Sequence, residues 1–164
     1  MKTLYLMRHA KSSWKDPSLD DFERPLNKRG LRDAPFMGKL LRDMDVRLNM
    51  IVSSPANRAI ATARIVAKKL KYRSDDIGTS HSLYEGGLDG VLSVVHETDD
   101  VIKRLMLVGH NPTFTEAANY LADANIENIP TGGVVAIKFK IASWQEAGET
   151  KGRLKFFEYP KKRR

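Results

Sequence analysis

Three apolar runs in the sequence are each followed closely by cationic or ionisable side chains. The run TLYLM, residues 3–7, precedes Arg8 and His9, and the run MIVSS, residues 50–54, precedes a segment that contains Arg58. The third run, RLMLVG over residues 104–109, precedes His110. Guanidinium groups bind phosphate oxygens through paired hydrogen bonds, and imidazoles can ligate a metal, move protons or attack phosphorus. Together these residue types predict a site for a phosphorylated ligand.

Two of these runs are followed by residues that can begin a helix. Ser54 and Asn111 are typical capping residues, and Pro55 and Pro112, directly after them, suit the first position of a helix. The unpaired backbone N–H groups and the dipole at such an end attract anions. We therefore expect two helix N-termini to face the predicted phosphate site.

Metal ligation is the weakest of the three roles for the histidines. Arg8 adjoins His9, Arg58 is predicted nearby, and their positive charges oppose a bound cation; the sequence also lacks HExxH-type spacing. A neutral imidazole among guanidinium groups can instead attack a phosphoryl group whose oxygens those groups hold. Phosphoryl chemistry without a metal or cofactor is the favoured hypothesis, and a structural role for each histidine stays open.

The elements that would position these residues alternate along the chain. The three apolar runs are predicted to be strands, as are VVAIKFK and RLKFFEY later in the sequence. Four helices are predicted from apolar stripes: Leu31, Ala34, Gly38 and Leu41; Ala59, Ala63, Val66 and Leu70; Leu88, Val91, Leu92 and Val95; Phe114, Ala117, Ala118 and Leu121. This alternation is typical of an α/β sheet covered on both faces, with ligands bound at the carboxyl ends of its strands. Inside the first helix, Pro35 predicts a kink or a later start, with Asp33 as a possible cap.

The composition is that of one soluble domain. Of the 164 residues 41% are apolar and 29% are charged; none is cysteine, which excludes a disulfide scaffold and a cysteine nucleophile. The net charge is +8, and the run at residues 161–164 supplies four of those charges. We expect a single domain over residues 1–160 and a basic C-terminal tail over residues 161–164. No signal peptide or membrane span is predicted, so we expect a cytoplasmic protein with no membrane partner.

Five sequence motifs, taken together, resemble one protein family. They are RHAKSSW at 8–14, ERPLNKRG at 23–30, SSPANRAIATA at 53–63, LYEGG at 83–87 and VGHNP at 108–112. Their combination and order resemble the histidine phosphatase superfamily, also called phosphoglycerate mutase-like, and in particular its small phosphohistidine phosphatase branch of the SixA type. The resemblance implies a three-layer α/β/α sandwich with a mostly parallel central sheet. Ala10 stands where the family usually has glycine, which predicts adjusted backbone geometry without loss of activity.

The resemblance also implies a role for each matching residue. His9 would be the nucleophile that becomes phosphorylated, and Glu85 would be the proton donor to the leaving group. The phosphoryl oxygens would be held by Arg8, Arg24, Arg58 and His110, and His110 would also take part in catalysis. His81 and His96 lie outside every motif and are given no role.

The function predicted in this way is a metal-independent phosphatase that works through a phosphohistidine on His9. Its substrate would be a phosphohistidine in a signalling protein or a small phosphoester. Two alternatives stay open: a phosphomutase of the phosphoglycerate type, and a non-catalytic module that binds anions or nucleic acid. No aromatic and basic residues interleave as a platform for single-stranded nucleic acid would require, so a nucleic-acid partner is not expected.

Overall fold

Six strands form one sheet at the centre of the structure, a computed structural model that describes residues 1–163. The strands are β1 (Lys2–Arg8), β2 (Met50–Ser53), β3 (Gly78–Thr79), β4 (Arg104–Gly109), β5 (Val134–Phe139) and β6 (Arg153–Glu158). Their order across the sheet is β3-β2-β4-β1-β5-β6. The first four in this order are mutually parallel, and β5 runs antiparallel to both β1 and β6. The five strands expected from the sequence are present, and the short edge strand β3 was not predicted.

Helices cover both faces of the sheet. They are α1 (Lys28–Asp43), α2 (Asn57–Lys69), α3 (Ser82–Glu85), α4 (Gly87–Glu97), α5 (Thr113–Ala122) and α6 (Pro160–Arg163). Side chains alternate along β1: Tyr5 and Met7 pack into the core beneath α1 and α2, whereas Leu4 and Leu6 pack into the core beneath α4 and α5. Each side chain of residues 4–7 therefore enters one of two cores, which explains why this part of β1 is an unbroken apolar run. The three-layer α/β/α architecture with a mostly parallel sheet is confirmed.

The first helix starts earlier than its proline suggested. Asn27 is the cap, and its side chain accepts a hydrogen bond from the backbone N–H of Gly30 at 2.9 Å. The prediction that Asp33 caps the helix is wrong, because Asp33 is buried in the helix and pairs with Arg29. Pro35 lies within the helix, where it cannot donate a hydrogen bond to the carbonyl of Leu31. The residue Leu31 is 57% exposed. Leu31 was also expected to face the core, and it does not.

The segment between β1 and α1 folds back on itself beside the end of β1. The N–H of Ser13 donates to the carbonyl of Pro25 at 2.8 Å, and the N–H of Asn27 donates to the carbonyl of Lys11 at 3.0 Å. Gly30 allows this contact, since a Cβ there would lie 2.1 Å from the carbonyl oxygen of Lys11. The fold-back carries residues 21–24 to the carboxyl edge of the sheet.

The described part of the basic C-terminal run is helical and ion-paired. Residues 160–163 form α6, where Lys162 Nζ lies 3.0 Å from Glu158 Oε1 and the guanidinium of Arg163 pairs with the same carboxylate. Arg164, the last residue of the predicted tail, lies outside the described residues. Among residues 1–163, no helix is both long and apolar enough to cross a membrane.

Candidate active site

Three adjacent strands bring the chemistry-bearing residues to one edge of the sheet. In the order β2-β4-β1, the residues just past the strand ends are Ser54, His110 and His9. The N–H of Ser54 donates to the carbonyl of Val108 at 2.8 Å, and that of His9 donates to the carbonyl of Gly109 at 3.0 Å. As a result the two imidazole rings lie side by side, with 5.2 Å between their centres.

A cavity of about 350 Å³ opens at this edge. Its lining residues are Arg8, His9, Asp21, Arg58, Tyr84, Glu85, His110 and Asn111. Five of the six site residues expected from the sequence are among them, and the sixth, Arg24, is not. Asp21 and Tyr84 were not singled out from the sequence.

His9 is held with one ring nitrogen available for chemistry. Its Nδ1 lies 2.7 Å from the carbonyl oxygen of Ala10, an acceptor, so Nδ1 carries the proton and Nε2 carries the lone pair. The Nε–H of Arg58 points at that lone pair, 3.3 Å away. The pKa of His9 is lowered to about 3, mainly by burial, and the hydrogen bond to the Ala10 carbonyl opposes this shift. The neighbouring His110, Arg58 and Arg8 contribute to the lowering. At neutral pH His9 therefore offers an unprotonated Nε2.

His110 is the second neutral imidazole of the cavity. Its Nε2 lies 2.8 Å from the hydroxyl oxygen of Ser54, and its Nδ1 lies 3.5 Å from a terminal nitrogen of Arg58. The pKa of His110 is lowered to about 4, mainly by burial and with a contribution from Arg58, while the charge of Asp21 opposes the shift. A serine hydroxyl can either donate or accept, so Ser54 can serve either tautomer of this ring. Ser54 was predicted only as a helix cap, and its contact with His110 could not be read from spacing.

The two arginines of the cavity are positioned differently. Arg58 is buried on the first turn of α2, and both its terminal nitrogens donate to Asp21: to the carbonyl at 2.6 Å and to the carboxylate at 3.0 Å. Arg8 donates one hydrogen bond to the carbonyl of Ile129 at 2.9 Å. Its Nε is buried and has no hydrogen-bond partner within residues 1–163. A buried N–H of a guanidinium without a partner is costly, and an anion in the cavity would supply one.

Arg24 was expected to complete the anion cavity, but in the structure it lies behind Asp21 and does not line the cavity. Its guanidinium donates to the carboxylate of Asp21 at 3.0 Å, to the hydroxyl of Ser12 at 2.5 Å and to the carbonyl of Ser13 at 3.1 Å. Asp21 stands between Arg24 and the cavity. The reason is the fold-back of the loop, which turns the side chain of Arg24 toward residues 12 and 13.

The carboxylate of Asp21 connects the two arginines Arg24 and Arg58 through hydrogen bonds. Its carboxylate accepts hydrogen bonds from Arg24, from Arg58 and, at 2.8 Å, from the hydroxyl of Tyr84. Partial burial opposes ionisation, but the hydrogen bonds from Tyr84, Arg58 and Arg24 outweigh it and lower the pKa of Asp21 to about 2. Asp21 is thus an anion at neutral pH, and it cannot serve as a proton donor.

Glu85 is placed at the mouth of the cavity. It is the last residue of α3 and lies exposed next to Tyr84, whose ring meets that of His110 edge-on with 5.4 Å between centres. Within residues 1–163 no side-chain hydrogen bond holds the carboxylate of Glu85 in one position. It is therefore within reach of a leaving group and in contact with solvent.

The two helix N-termini begin later than predicted. Pro55 and Pro112 are not the first helical residues: α2 begins at Asn57 and α5 at Thr113. Ser54 and Asn111 still accept backbone hydrogen bonds, from Ala56 at 3.2 Å and from Thr115 at 3.2 Å. The prediction that Ser54 and Asn111 cap these helices is therefore wrong, because an intervening turn places Ala56 and Pro112 at the two N-cap positions.

Ala10, which stands in place of the family's glycine, fits without strain. It is fully buried, and its N–H donates to the hydroxyl of Thr62 on α2 at 3.0 Å. It is not among the non-glycine residues with positive φ, which are Asp45, Lys71 and Asp123. The methyl group therefore requires no unusual backbone conformation beside His9.

Comparison with known proteins identifies the family of this chain. The family model of the histidine phosphatase superfamily, branch 1, matches residues 4–97. An uncharacterised chloroplast protein of Arabidopsis thaliana is 31% identical over 155 residues, which cover 89% of this chain and 70% of that protein.

Solved structures of similar size share the fold. A protein named as a candidate phosphohistidine phosphatase SixA from Agrobacterium tumefaciens is 27% identical, with a TM-score of 0.83 over 97% of this chain and 98% of its own. A protein histidine phosphatase SixA solved with tungstate is 18% identical, with a TM-score of 0.84 over 99% of both chains; this likeness concerns the fold. The chain belongs to the histidine phosphatase superfamily and is a phosphatase of the SixA type.

Proposed function

We propose that this phosphatase hydrolyses a phosphoryl group through a phosphohistidine on His9, without a metal, and that its substrate is a phosphohistidine in a signalling protein. The observation that carries the proposal is the state of His9: a buried imidazole with Nδ1 bound to Ala10 and an unprotonated Nε2 beside Arg58. Such a nitrogen is a nucleophile at neutral pH without a general base.

In the first step, His9 Nε2 forms a bond to phosphorus while the bond from phosphorus to the substrate's nitrogen breaks. Arg58 and Arg8 hold the equatorial oxygens, and the unpartnered Nε of Arg8 gains an acceptor. The dianion also raises the affinity of His110 for a proton, so that its imidazole can donate to a phosphoryl oxygen.

The carboxylates of the cavity favour a nitrogen leaving group. Asp21, with a pKa of about 2, is ionised and donates no proton, and Glu85 is exposed at the mouth. An alkoxide leaving group needs a well-placed acid, whereas an imidazole takes a proton readily from water or from Glu85. This supports phosphohistidine over a phosphoester.

In the second step, water attacks the phosphorus of phosphorylated His9. The bond from phosphorus to Nε2 breaks and the lone pair returns to His9, which keeps its proton on Nδ1. Inorganic phosphate leaves with the oxygen and both protons of the water. The same cationic groups stabilise both transition states, and Arg8 and Arg58 stand where a metal would have to bind. No metal is therefore required by the proposal.

The decisive experiment compares wild type with His9→Ala in the presence of a chelator. The substrates are phosphoramidate, p-nitrophenyl phosphate and a histidine-containing phosphotransfer protein phosphorylated with phosphoramidate. Wild type is expected to release phosphate and to form an acid-labile phosphoenzyme, and His9→Ala is expected to lose at least about 10³-fold in rate. His96→Ala is the matched control, because His96 contacts the carbonyl of Ala147 and lies outside the cavity.

Other outcomes contradict the proposal in distinct ways. Activity that survives His9→Ala would remove the nucleophile, and activity lost to the chelator would contradict metal independence. Transfer of the phosphoryl group from one position of phosphoglycerate to another, with little release to water, would support the mutase instead.

A further inference from the structure

An exposed tryptophan lies in the segment between β1 and α1, the segment that also carries Asp21. Trp14 is 74% exposed, and the guanidinium carbon of Arg24 lies 3.2 Å from the centre of its ring. Stacking on a buried arginine holds the ring in one orientation, which lowers the entropy lost when a partner covers it. Tryptophan and arginine are also the residues most enriched among the energetic centres of protein interfaces.

A groove of about 400 Å³ runs next to Trp14. We call it the Trp14 groove; it is lined by Ser13, Lys15, Pro25, Leu26, Asn27, Lys28, Arg29 and Leu31. Leu31 is 57% exposed in the first turn of α1. Three of the lining residues are cationic and none is acidic. The groove thus combines apolar and cationic side chains.

The Trp14 groove is preformed and physically linked to the cavity. Its two walls are joined by the hydrogen bond from Ser13 to the carbonyl of Pro25, and by the close packing of Gly30 on Lys11. Arg24, on which Trp14 stacks, bonds to Asp21, and Asp21 bonds to Arg58. A protein seated in the groove would therefore lie beside the phosphoryl site.

We propose that Trp14 and the Trp14 groove dock an acidic, amphipathic helix of the phosphorylated protein substrate; this rests on the proposed function. Charge complementarity selects the occupant: Lys15 and Lys28 attract carboxylates. Leu31, Pro25 and Trp14 contact the apolar face of a helix. A second copy of this chain would place the same cations against each other. The cavity alone recognises the phosphoryl group, and the groove supplies recognition of the protein that carries it.

The test separates docking from chemistry. Lys28→Glu and Leu31→Glu change the groove without touching the cavity, and Trp14→Ala removes the exposed ring. Each is assayed on a phosphorylated, acidic histidine-containing phosphotransfer protein and on phosphoramidate. We expect Lys28→Glu and Leu31→Glu to raise KM for the phosphoprotein about tenfold, with kcat unchanged and the rate on phosphoramidate within about twofold of wild type. Trp14→Ala is expected to raise the same KM by at least as much.

Two control variants match the changes elsewhere on the surface. Tyr120→Ala removes another exposed ring that a cation covers, since Lys151 Nζ lies 3.7 Å from its centre. Arg73→Glu reverses a charge in a separate basic groove near the end of α2. Both are expected to leave the KM for the phosphoprotein unchanged.

The remaining outcomes overturn the docking inference. Equal losses on both substrates, or unchanged KM in all groove variants, would show that the groove does not bind the protein. If wild type hydrolysed phosphoramidate but not the phosphoprotein, the docking inference would be wrong. The proposed chemistry at His9 would still hold. If wild type hydrolysed neither substrate, the proposed function would be wrong as well. Binding of a poly(dT) oligonucleotide that Lys28→Glu abolishes would assign the groove to nucleic acid instead.

Discussion

Arg58 donates a hydrogen bond from its Nε to Nε2 of His9 across 3.3 Å, and so identifies the nitrogen of that ring that has no proton. A guanidinium is always a donor, and the other ring nitrogen donates to the carbonyl of Ala10. The same arginine reaches His110 and Asp21 with its terminal nitrogens. One residue from the first turn of α2 therefore contacts both imidazoles and the carboxylate of the cavity.

Replacing Arg58 with lysine tests this arrangement. A lysine keeps the charge but cannot hold two phosphoryl oxygens in a fixed plane, so we expect Arg58→Lys to lower kcat about a hundredfold on phosphoramidate. Arg64→Lys, on the exposed side of the same helix, is expected to stay within about twofold of wild type. A kcat for Arg58→Lys close to wild type would show that only the charge of Arg58 matters.

Asp21→Asn is expected to tighten the binding of inorganic phosphate about three- to tenfold at pH 7, because a negative charge next to the anion is removed. The affinity is measured as inhibition of phosphoramidate hydrolysis by phosphate. Asp20→Asn, an exposed neighbour outside the cavity lining, is the matched control. Weaker binding of phosphate by Asp21→Asn would mean that Asp21 acts mainly by orienting Arg58.

Ser54→Ala should impair His110 more than the fold. The variant removes the group that lies 2.8 Å from His110 Nε2 and also the acceptor for the N–H of Ala56. We expect kcat to fall about tenfold and the free energy of unfolding to fall by about 1 kcal/mol. In Ser53→Ala, which loses a buried hydroxyl that donates to the carbonyl of Ser54, we expect a comparable loss of stability with kcat unchanged. Equal kcat in the two variants would contradict a role for Ser54 in positioning His110.

The histidines also predict how stability depends on pH. Burial lowers the pKa of His110 to about 4 from 6.5, so between these values the unfolded chain binds protons that the folded protein does not. The free energy of unfolding is therefore highest above about pH 6.5. It falls as the pH falls toward 4, by up to about 3 kcal/mol from this residue. His9 acts in the same direction, whereas Asp21, with a pKa of about 2, has no effect above pH 4.

Urea denaturation at pH 7.5 and pH 4.5 measures this effect. His110→Asn is expected to lose about 2 kcal/mol less than wild type between the two values, because its side chain does not titrate. The double variant His9→Asn/His110→Asn should lose less still. A wild type and a double variant with the same pH dependence would show that the two imidazoles are not held neutral in the folded protein.

Gly30→Ala should destabilise the loop that carries Trp14 and Asp21. The new methyl group would lie 2.1 Å from the carbonyl oxygen of Lys11, so helix α1 or the loop has to shift. We expect a loss of about 1–3 kcal/mol in the free energy of unfolding. Gly78→Ala is the control, since the nearest atoms to a Cβ there lie 3.9 Å away. Equal stability of the two variants would contradict the tight packing of Gly30.

The sequence was most informative where local rules decide the outcome. Periodic apolar stripes located four helices, and apolar runs located five strands. Helices and strands bury side chains at different fixed spacings, so the spacing of apolar residues identifies the element. Motif order placed His9, Arg58, Glu85 and His110 at the carboxyl edge of a parallel sheet. Each of those residues lies just after the end of a strand or in the first turn of a helix that begins near a strand end.

The errors and omissions arose where distant segments meet. Leu31 fits the periodic stripe of α1, but its side chain is 57% exposed, whereas Gly30 beside it packs against Lys11. Arg24 belongs to a matching motif, yet the fold-back of its loop directs it to Ser12 and Asp21 instead of the cavity. Asp21 has no signal in its spacing, because its role depends on three groups brought from separate elements.

The amino-acid sequence by itself determined which elements form, their alternation and the set of ionisable groups, since each of these reflects short-range periodicity and residue chemistry. Only the tertiary structure decided which nitrogen of His9 has no proton, which carboxylate is held ionised, and which arginines line the cavity. Protonation and hydrogen-bond partners depend on burial and on charges within a few ångströms, and those distances are set by chain segments far apart in the sequence.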